Sequence, residues 1–212
     1  LNGIFSVLSS SMTAHYLLHR TYAVQAGDTI LVHAAAGGMG LILCQWAKAL
    51  GAKVVGTVST HEKAEVARAA GCHYPVVRSE KSFVDVVREV TDGEGCAVVY
   101  EAIGKDTLQH SLDSLRPMGV CAAYGHVSGP PDPVDIIQDL GRRGSLFITR
   151  PAIMHYVAKR ADLEWTARDL FKAIGDGLLE ANINYEYALK DAVKAHEAIE
   201  SGKTLGATVL IP

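Results

Sequence analysis

The feature that most constrains the fold is a glycine-rich turn between an apolar run and a helical segment. The run Thr29 to His33 continues into AAGGMG at 35–40, and apolar residues then recur at helical spacing as far as Leu50. Counted back from Gly40, the turn has the A-x-x-G-x-x-G spacing of a dinucleotide fingerprint, with alanine in place of the usual first glycine. Glycine lets the backbone approach a pyrophosphate closely, and the helix N-terminus offers N–H groups without partners. The turn therefore predicts a dinucleotide site at Gly37, Gly38, Met39 and Gly40.

Short apolar runs alternate with helical segments along most of the chain. The runs lack polar alternation, which is typical of parallel strands covered on both faces. We therefore predict an α/β fold, a Rossmann-type doubly wound parallel sheet. Strands are predicted at Thr29–His33, Lys53–Val58, Ala97–Tyr100, Val120–Tyr124, Ser145–Thr149, Tyr185–Leu189 and Ala207–Ile211. Helices are predicted at Leu41–Leu50, Lys63–Ala70, Phe83–Val90, Leu108–Leu115, Val134–Arg143, Asp162–Leu179 and Ala192–Glu200.

The end of the second strand indicates which dinucleotide is bound. An NAD-binding domain carries a carboxylate there, about 20 residues beyond the fingerprint, which accepts hydrogen bonds from the ribose. This chain instead has Ser59 and Thr60, followed by Lys63 in the first turn of the next helix. An ammonium and a helix N-terminus together suit the 2′-phosphate of NADPH. The pattern favours NADPH over NADH.

Composition excludes several classes of protein. With 212 residues, 49% of them hydrophobic, the chain corresponds to one domain or to one domain with a small appendage. Its net charge is −3, with no long block of either sign, so nucleic acid is not an expected partner. The chain lacks both the apolar run of roughly 20 residues that a membrane span needs and the charged start of a signal peptide. We therefore expect a cytoplasmic protein with no membrane partner.

The cysteines give no sign of a metal centre. Cys44, Cys72, Cys96 and Cys121 form no CxxC pair, and no histidine is spaced to complete a zinc motif. We expect reduced, buried thiols and no metal site. The sequence begins at Leu1 rather than at a methionine, which suggests a fragment.

Three segments carry a resemblance to a known family. The segments HAAAGGMG, QWAKALGAKVVGTVST and GSLFITRPAI resemble the cofactor-binding half of a zinc-independent NADPH:quinone oxidoreductase. This is the zeta-crystallin-like branch of the medium-chain dehydrogenase/reductase superfamily. The resemblance implies a Rossmann core at about 22–155, with 1–21 and about 180–212 as flanking segments. These segments, including the C-terminal helix and strand, would pack on an N-terminal GroES-like catalytic domain that is absent from this sequence.

The resemblance also implies roles for individual residues. The nicotinamide end of the pocket would be lined by Thr13 and Tyr16, by Ile103 after the fourth strand, by Gly125, His126, Val127 and Ser128 after the fifth strand, and by Pro151, Ala152 and Ile153. Ser59, Thr60 and Lys63 would hold the adenosine ribose and its phosphate, with Arg78 beside the adenine and the 2′-phosphate. Lys203 would stand in for an arginine that relatives place toward the cofactor. No residue of this sequence is assigned as a catalytic acid or base.

Three functions fit this interpretation. The first is hydride transfer from NADPH to a small-molecule quinone, which makes the chain part of an NADPH:quinone reductase. The near alternative is an enoyl or 2-alkenal reductase of the same superfamily, which acts on a conjugated carbonyl. The third is a non-catalytic NADPH-binding module. Because the cofactor carries the chemistry and the other wall of the cleft is absent, we expect this fragment alone to be inactive.

The strand from Ser145 to Arg150 predicts a homodimer. In chain order it follows the fifth strand, which places it at the outer edge of the sheet. Its centre, LFI at 146–148, has none of the charges or prolines that protect solitary edges. Pairing with a second copy across a two-fold axis is therefore expected, and the resemblance implies the same interface.

Overall fold

The fold is built on a parallel sheet whose strand order places the glycine-rich turn near its centre. The structure, a computed structural model, describes residues 2–180, 183–202 and 204–212. Six strands form the main sheet in the order β3-β2-β1-β4-β5-β6, and two more form a separate parallel pair. The strands are β1 Thr29–Val32, β2 Lys53–Val58, β3 Tyr74–Val77, β4 Cys96–Glu101, β5 Leu115–Ala123, β6 Phe147–Thr149, β7 Ile183–Ala188 and β8 Ala207–Ile211. This strand order is that of the Rossmann fold, so the predicted fold class is confirmed.

Helices connect the strands and cover both faces of the sheet. The α-helices are α1 Asn2–Tyr16, α2 Gly38–Ala49, α3 His61–Ala69, α4 Phe83–Val90, α5 Leu108–Asp113, α6 Ile153–Tyr156, α7 Arg160–Gly175 and α8 Ala192–Glu200. Leu17–Thr21 and Ile136–Gly141 are π-helical, and Leu189–Asp191 is a 3₁₀ turn. No helix in the described part of the chain is long and apolar enough to span a membrane.

Two apolar clusters lie on opposite faces of the sheet. One joins α1, α2 and α7 to the strands, and Leu17, Leu43 and Leu170 are fully buried in it. The other joins α4 and α5 to the strands and includes Val87 and Leu112. All six residues of β4 are buried, which explains why the central strands show no polar alternation.

Several observed elements differ from the predicted ones. β3 contains Pro75 and lies at an edge of the sheet, where a missing N–H is tolerated, so it has no strong strand pattern. Leu115 fits the helical spacing after Leu112 but begins β5. The helix expected at 134–143 is a π-helix of six residues. The strand expected from Ser145 begins only at Phe147, because Ser145 has a left-handed φ of +60° that interrupts extended backbone.

The segment before the sheet packs on the sheet domain of this chain. Ala14, Tyr16, Leu17 and Leu18 are buried in the cluster that also contains Leu170 of α7. The segment is therefore an integral layer of the described fold. Its expected second role, as a contact with a further domain, stays a prediction.

The C-terminal segment returns to the glycine-rich turn. β7 and β8 pair in parallel, and α8 connects them. Just before β8, the N–H of Gly206 donates to the carbonyl oxygen of Ala36 at 3.1 Å, and Gly206 forms an isolated parallel bridge with Gly37. The end of the chain is thereby fixed beside the start of α2.

Candidate functional site

The glycine-rich turn has the geometry of an anion cradle. Gly37 is the N-cap of α2, and no described side chain caps this helix. The first N–H groups of the helix therefore face outward without intrahelical partners. A Cβ on Gly40 would lie 2.2 Å from the carbonyl oxygen of Ala34, so only glycine allows this approach of helix and turn. Ala34, which replaces the usual first glycine, takes a left-handed φ of +51°.

A cleft of about 470 Å³ lies along the carboxyl edge of the sheet and includes this turn. Parallel strands end at one edge, so the residues that follow them are arranged in the order of the sheet. From β3 to β5 these residues are Arg78, Ser59 with Lys63, Ala34 with Gly37, Ile103 and Val127. Ser201, Gly202 and Thr204 line the cleft from the C-terminal segment.

The β2 end of the cleft is cationic. Lys63 and Arg78 both line it, and Ser59 stands where an NAD-binding domain has a carboxylate. Thr60 lies outside the lining, where its Oγ1 accepts a hydrogen bond from the Lys63 N–H at 3.2 Å and caps α3. The Lys63 Nζ donates to the carbonyl oxygen of Gly202 at 2.6 Å, so the ammonium lies between α3 and the C-terminal segment.

A buried carboxylate, which sequence reasoning missed, holds the loop after β4. Glu101 Oε1 accepts hydrogen bonds from the N–H groups of Ile103 at 2.6 Å and Gly104 at 3.1 Å, and from Thr107 Oγ1 at 2.9 Å. Its Oε2 accepts from Ser111 Oγ at 2.5 Å. Since Ile103 lines the cleft, this carboxylate fixes part of the cleft wall. The signal in the sequence was an acid at the end of an otherwise apolar run.

His33 extends this network to the glycine-rich turn. Its Nε2 lies 2.8 Å from Ser111 Oγ and its Nδ1 lies 3.0 Å from Thr57 Oγ1, which also accepts from the Ala34 N–H. Ser111 donates to Glu101, so His33 Nε2 carries the proton and Nδ1 accepts from Thr57. Hydrogen bonds therefore connect the glycine-rich turn to the loop after β4.

Burial sets the protonation states in this network. Desolvation lowers the pKa of His33, because the charged form of this fully buried imidazole is disfavoured. Burial alone would raise the pKa of the Glu101 carboxyl, but His33 and the hydrogen bonds from Ser111, Ile103 and Gly104 hold it below its ordinary value. We assign an ionised Glu101 beside a neutral His33. The hydrogen bonds that Glu101 accepts therefore stabilise its carboxylate.

The loops after β4 and β5 are bonded to each other. Ser128 Oγ donates to the carbonyl oxygen of Ile103 at 2.8 Å and accepts from the Asp106 N–H at 3.1 Å. A Cβ on Gly125 would lie 2.6 Å from the carbonyl oxygen of Ala102, so the two loops need glycine there to meet. Ser128 and Gly125 thus support the cleft wall, which Val127 lines and from which His126 extends into solvent.

A second, smaller cavity of about 270 Å³ follows at the end of β6. It is lined by Arg20, Thr149, Arg150, Pro151, Ala152, His155 and Tyr156. The Tyr16 ring stacks on Tyr156 with centroids 4.2 Å apart, and Tyr16 is only 3% exposed. Tyr16 forms a side-chain hydrogen bond with Thr13, and burial raises the pKa of its phenol.

Some predicted residues lie away from the cleft lining. Tyr16 is covered by Tyr156, and Ile153 and Met39 pack against the apolar core. Gly38 is the first residue of α2, and a Cβ on it would lie 3.4 Å from the carbonyl oxygen of Gly206. The predicted roles of these residues toward a cofactor stay predictions. Lys203 lies outside the described residues.

Comparison with known proteins decides the family. A family model described as zinc-binding dehydrogenase matches residues 38–163. The chain belongs to the zinc-binding dehydrogenase family. A 2-haloacrylate reductase from a Burkholderia species is 52% identical over 206 residues, which cover 97% of this chain and 62% of the relative. A quinone oxidoreductase from Salmonella typhimurium is 44% identical over 203 residues, covering 95% of this chain and 62% of the relative.

A solved structure of a quinone oxidoreductase has nearly the same fold. The crystal structure of Escherichia coli quinone oxidoreductase complexed with NADPH matches with a TM-score of 0.93 and 40% identity, over 98% of this chain and 64% of that one. The resemblance to quinone oxidoreductases that the motifs indicated is therefore confirmed. The chain spans less than two-thirds of the length of these relatives.

The metal in the name of the zinc-binding dehydrogenase family has no fitting ligands in the described part of this chain. No group of three or more His, Cys, Asp or Glu side chains lies there in a metal-binding arrangement. The four cysteines are separate, buried thiols. These residues do not fit a zinc ion, and we derive no step through one.

Proposed function

We propose that this chain is the NADPH-binding domain of an oxidoreductase that transfers hydride from NADPH to a quinone. The observation that carries the proposal is the order of groups along the carboxyl edge of the sheet. Cations follow β3 and β2, an uncapped helix N-terminus follows β1, and an apolar wall follows β4 and β5. A 2′-phosphate, a pyrophosphate and a nicotinamide would meet their matching environments in this order.

The described residues would hold NADPH as follows. Lys63, Arg78 and Ser59 would bind the 2′-phosphate and ribose, and the N–H groups at the start of α2 would bind the pyrophosphate. When bound, the cofactor supplies a hydride, and one proton from elsewhere completes the reduction of the acceptor. Ile103 and Val127 would contact the nicotinamide and keep water away from it. This chain's part in the reaction is therefore to bind, orient and exclude water.

A second candidate is reduction of a conjugated alkene. The relative with 52% identity is named a 2-haloacrylate reductase, and its acceptor is an alkene conjugated to a carboxylate. Both acceptors take up a hydride and a proton, so the cofactor site serves either one. The two functions differ in whether the substrate carries a negative charge.

The cofactor assignment can be tested with full-length protein. Binding of NADPH and NADH is titrated by fluorescence for wild type, Lys63→Ala and the control Lys53→Ala. Lys53 begins β2 at the opposite edge of the sheet, so its loss should change nothing. We expect wild type to prefer NADPH and Lys63→Ala to weaken NADPH about 10- to 100-fold, because one charge-assisted phosphate contact is lost.

The NADH titration separates two effects of the Lys63 substitution. Loss of the bond to Gly202 would weaken both cofactors equally, whereas loss of a phosphate contact weakens only NADPH. Equal wild-type affinity for NADPH and NADH, or unchanged NADPH affinity in Lys63→Ala, would contradict the assignment. Oxidation of NADPH with 1,4-benzoquinone as acceptor then tests the reaction itself.

Three further proposals concern the assembly and the location of the protein. We propose that residues 1–21 and 180–212 also contact a GroES-like domain outside this sequence, and that this chain alone is inactive because that domain would form the other wall of its cleft. We propose a homodimer through β6, whose Phe147 is 60% exposed at an edge of the main sheet. We propose a cytoplasmic location, since all four cysteines are free.

A further inference from the structure

The cavity at the end of β6 contains a cation that the described residues leave without a counter-ion. Arg150 directly follows β6, and its guanidinium is exposed. Among the described residues, no carboxylate lies within ion-pair distance of it, whereas Arg20 on the other side of the cavity has Asp162 at 3.6 Å. Of the two guanidinium groups that line this cavity, that of Arg150 is therefore the one available to an anion.

Two contacts orient the Arg150 guanidinium toward the cleft. Its Nη1 donates to the carbonyl oxygen of Tyr124, and its Nη2 lies 3.4 Å from His126 Nδ1. Both partners belong to the loop after β5, next to Val127 of the cleft wall. A guanidinium has five N–H groups, so the remaining donors can still bind a carboxylate in bidentate geometry.

The sheet order places this cation beside the nicotinamide end of the cleft. Adjacent strands are about 4.8 Å apart, so the residue after β6 lies about 10 Å from the residue after β4. In the proposed function, the acceptor must lie next to the nicotinamide, which is held between the loops after β4 and β5. An acceptor of a few heavy atoms can therefore reach both the nicotinamide and Arg150.

The rest of the cavity suits a small planar acid. Its volume is about 270 Å³, and its lining is more polar than apolar, with Pro151, Ala152 and Tyr156 beside the two guanidinium groups. Tyr156 is fixed by stacking on Tyr16 and by a hydrogen bond from Thr21 Oγ1 to its hydroxyl at 2.9 Å. A mostly polar cavity with two guanidinium groups, one of which has no counter-ion among the described residues, fits a carboxylic acid better than it fits a neutral quinone.

We propose that Arg150 binds the carboxylate of an acidic conjugated alkene, the second candidate acceptor, and thereby lowers the KM of this protein for anionic acceptors. This inference rests on the proposed NADPH-dependent reduction and names the substrate class and the residue that recognises it. Arg150 acts in binding, so its loss should raise the KM of an anionic acceptor more than it changes kcat.

The test uses two acceptors that differ in charge but share their reacting bond. Full-length protein is assayed with NADPH and either 2-chloroacrylate or 2-chloroacrylamide, for wild type, Arg150→Gln, Arg150→Lys and the control Arg160→Gln. Arg160 is on the surface of α7, paired with Glu164 at 2.5 Å. We expect Arg150→Gln to raise the KM for 2-chloroacrylate about 10- to 100-fold and to leave 2-chloroacrylamide within about twofold, with partial rescue in Arg150→Lys.

Equal losses on both acceptors, or no loss on either, would overturn the inference. Light scattering checks that Arg150→Gln keeps the wild-type mass, and a changed mass would overturn it as well, because Arg150 would then act in assembly. If wild type reduces neither a quinone nor an alkene, the proposed function fails separately. Saturation-transfer NMR with propionate on the NADPH-loaded protein then decides the inference, since binding should vanish in Arg150→Gln and persist in Arg160→Gln.

Discussion

Replacing Gly40 by alanine tests the close approach between α2 and the glycine-rich turn. The new Cβ would lie 2.2 Å from the carbonyl oxygen of Ala34 and 2.7 Å from two backbone atoms of Ala35. Real Cβ contacts stay above 3.0 Å, so helix and turn must separate by at least 0.8 Å. Overpacking of this kind costs about 1–3 kcal/mol. This case lies at the upper end of the range because the atoms that the new Cβ would meet belong to the backbone. Alanine is favoured over glycine in a helix by about 1 kcal/mol, so we expect a net loss of about 2 kcal/mol.

Urea denaturation followed by circular dichroism measures this loss, with Gly175→Ala as the matched control. Gly175 is the last residue of α7, and a Cβ on it would meet nothing within 4 Å. The control should therefore gain up to about 1 kcal/mol from helix propensity alone. Because the opened turn also displaces the N–H groups at the start of α2, NADPH affinity should fall about tenfold or more in Gly40→Ala. A Gly40→Ala protein as stable as Gly175→Ala would refute the steric argument.

Two further predictions concern protonation and assembly. In the folded protein the pKa of His33 lies below its ordinary value of 6.5. Below pH 6.5 the unfolded chain therefore binds a proton at His33 that the folded chain does not bind. As the pH falls, the free energy of unfolding should therefore decrease by up to about 1.4 kcal/mol per pH unit because of this residue. Urea midpoints measured from about pH 7.5 to about 5 should decrease less steeply in His33→Gln than in wild type. Equal slopes in the two proteins would contradict the assignment. Phe147→Lys at the exposed edge strand should turn a dimer into a monomer in light scattering, and a monomeric wild type or a dimeric variant would rule out this interface.

The sequence was sufficient for the central strands because parallel strands with two covered faces must be apolar throughout. The run Lys53–Val58 matches β2 in full, and the glycine spacing located the turn before α2. β3 was missed because an edge strand tolerates Pro75, which sequence rules associate with turns. Leu115 was predicted to be helical because it fits the spacing of Leu108 and Leu112, but the helix ends at Asp113 and Leu115 begins β5.

The candidate site was only partly predictable, for a physical reason. Lys63 was predicted because a single segment shows a cation where a carboxylate is expected, whereas Arg78 was predicted only from the family resemblance. The contacts of Glu101 with His33 and Ser111 join three separate segments, so no local spacing announces them. Arg150 was overlooked for the same reason, because its significance depends on the absence of a nearby carboxylate in space.

The bond between Gly206 and the glycine-rich turn also determines when the cleft can form during synthesis. Ribosomes deliver α2 and its turn well before Ser201, Gly202 and Thr204, which line the same cleft. A nascent chain can therefore fold its sheet while one wall of the dinucleotide cleft is still missing. Both walls can enclose a cofactor only after the segment around Gly206 has been synthesised, so cofactor capture follows the folding of the sheet.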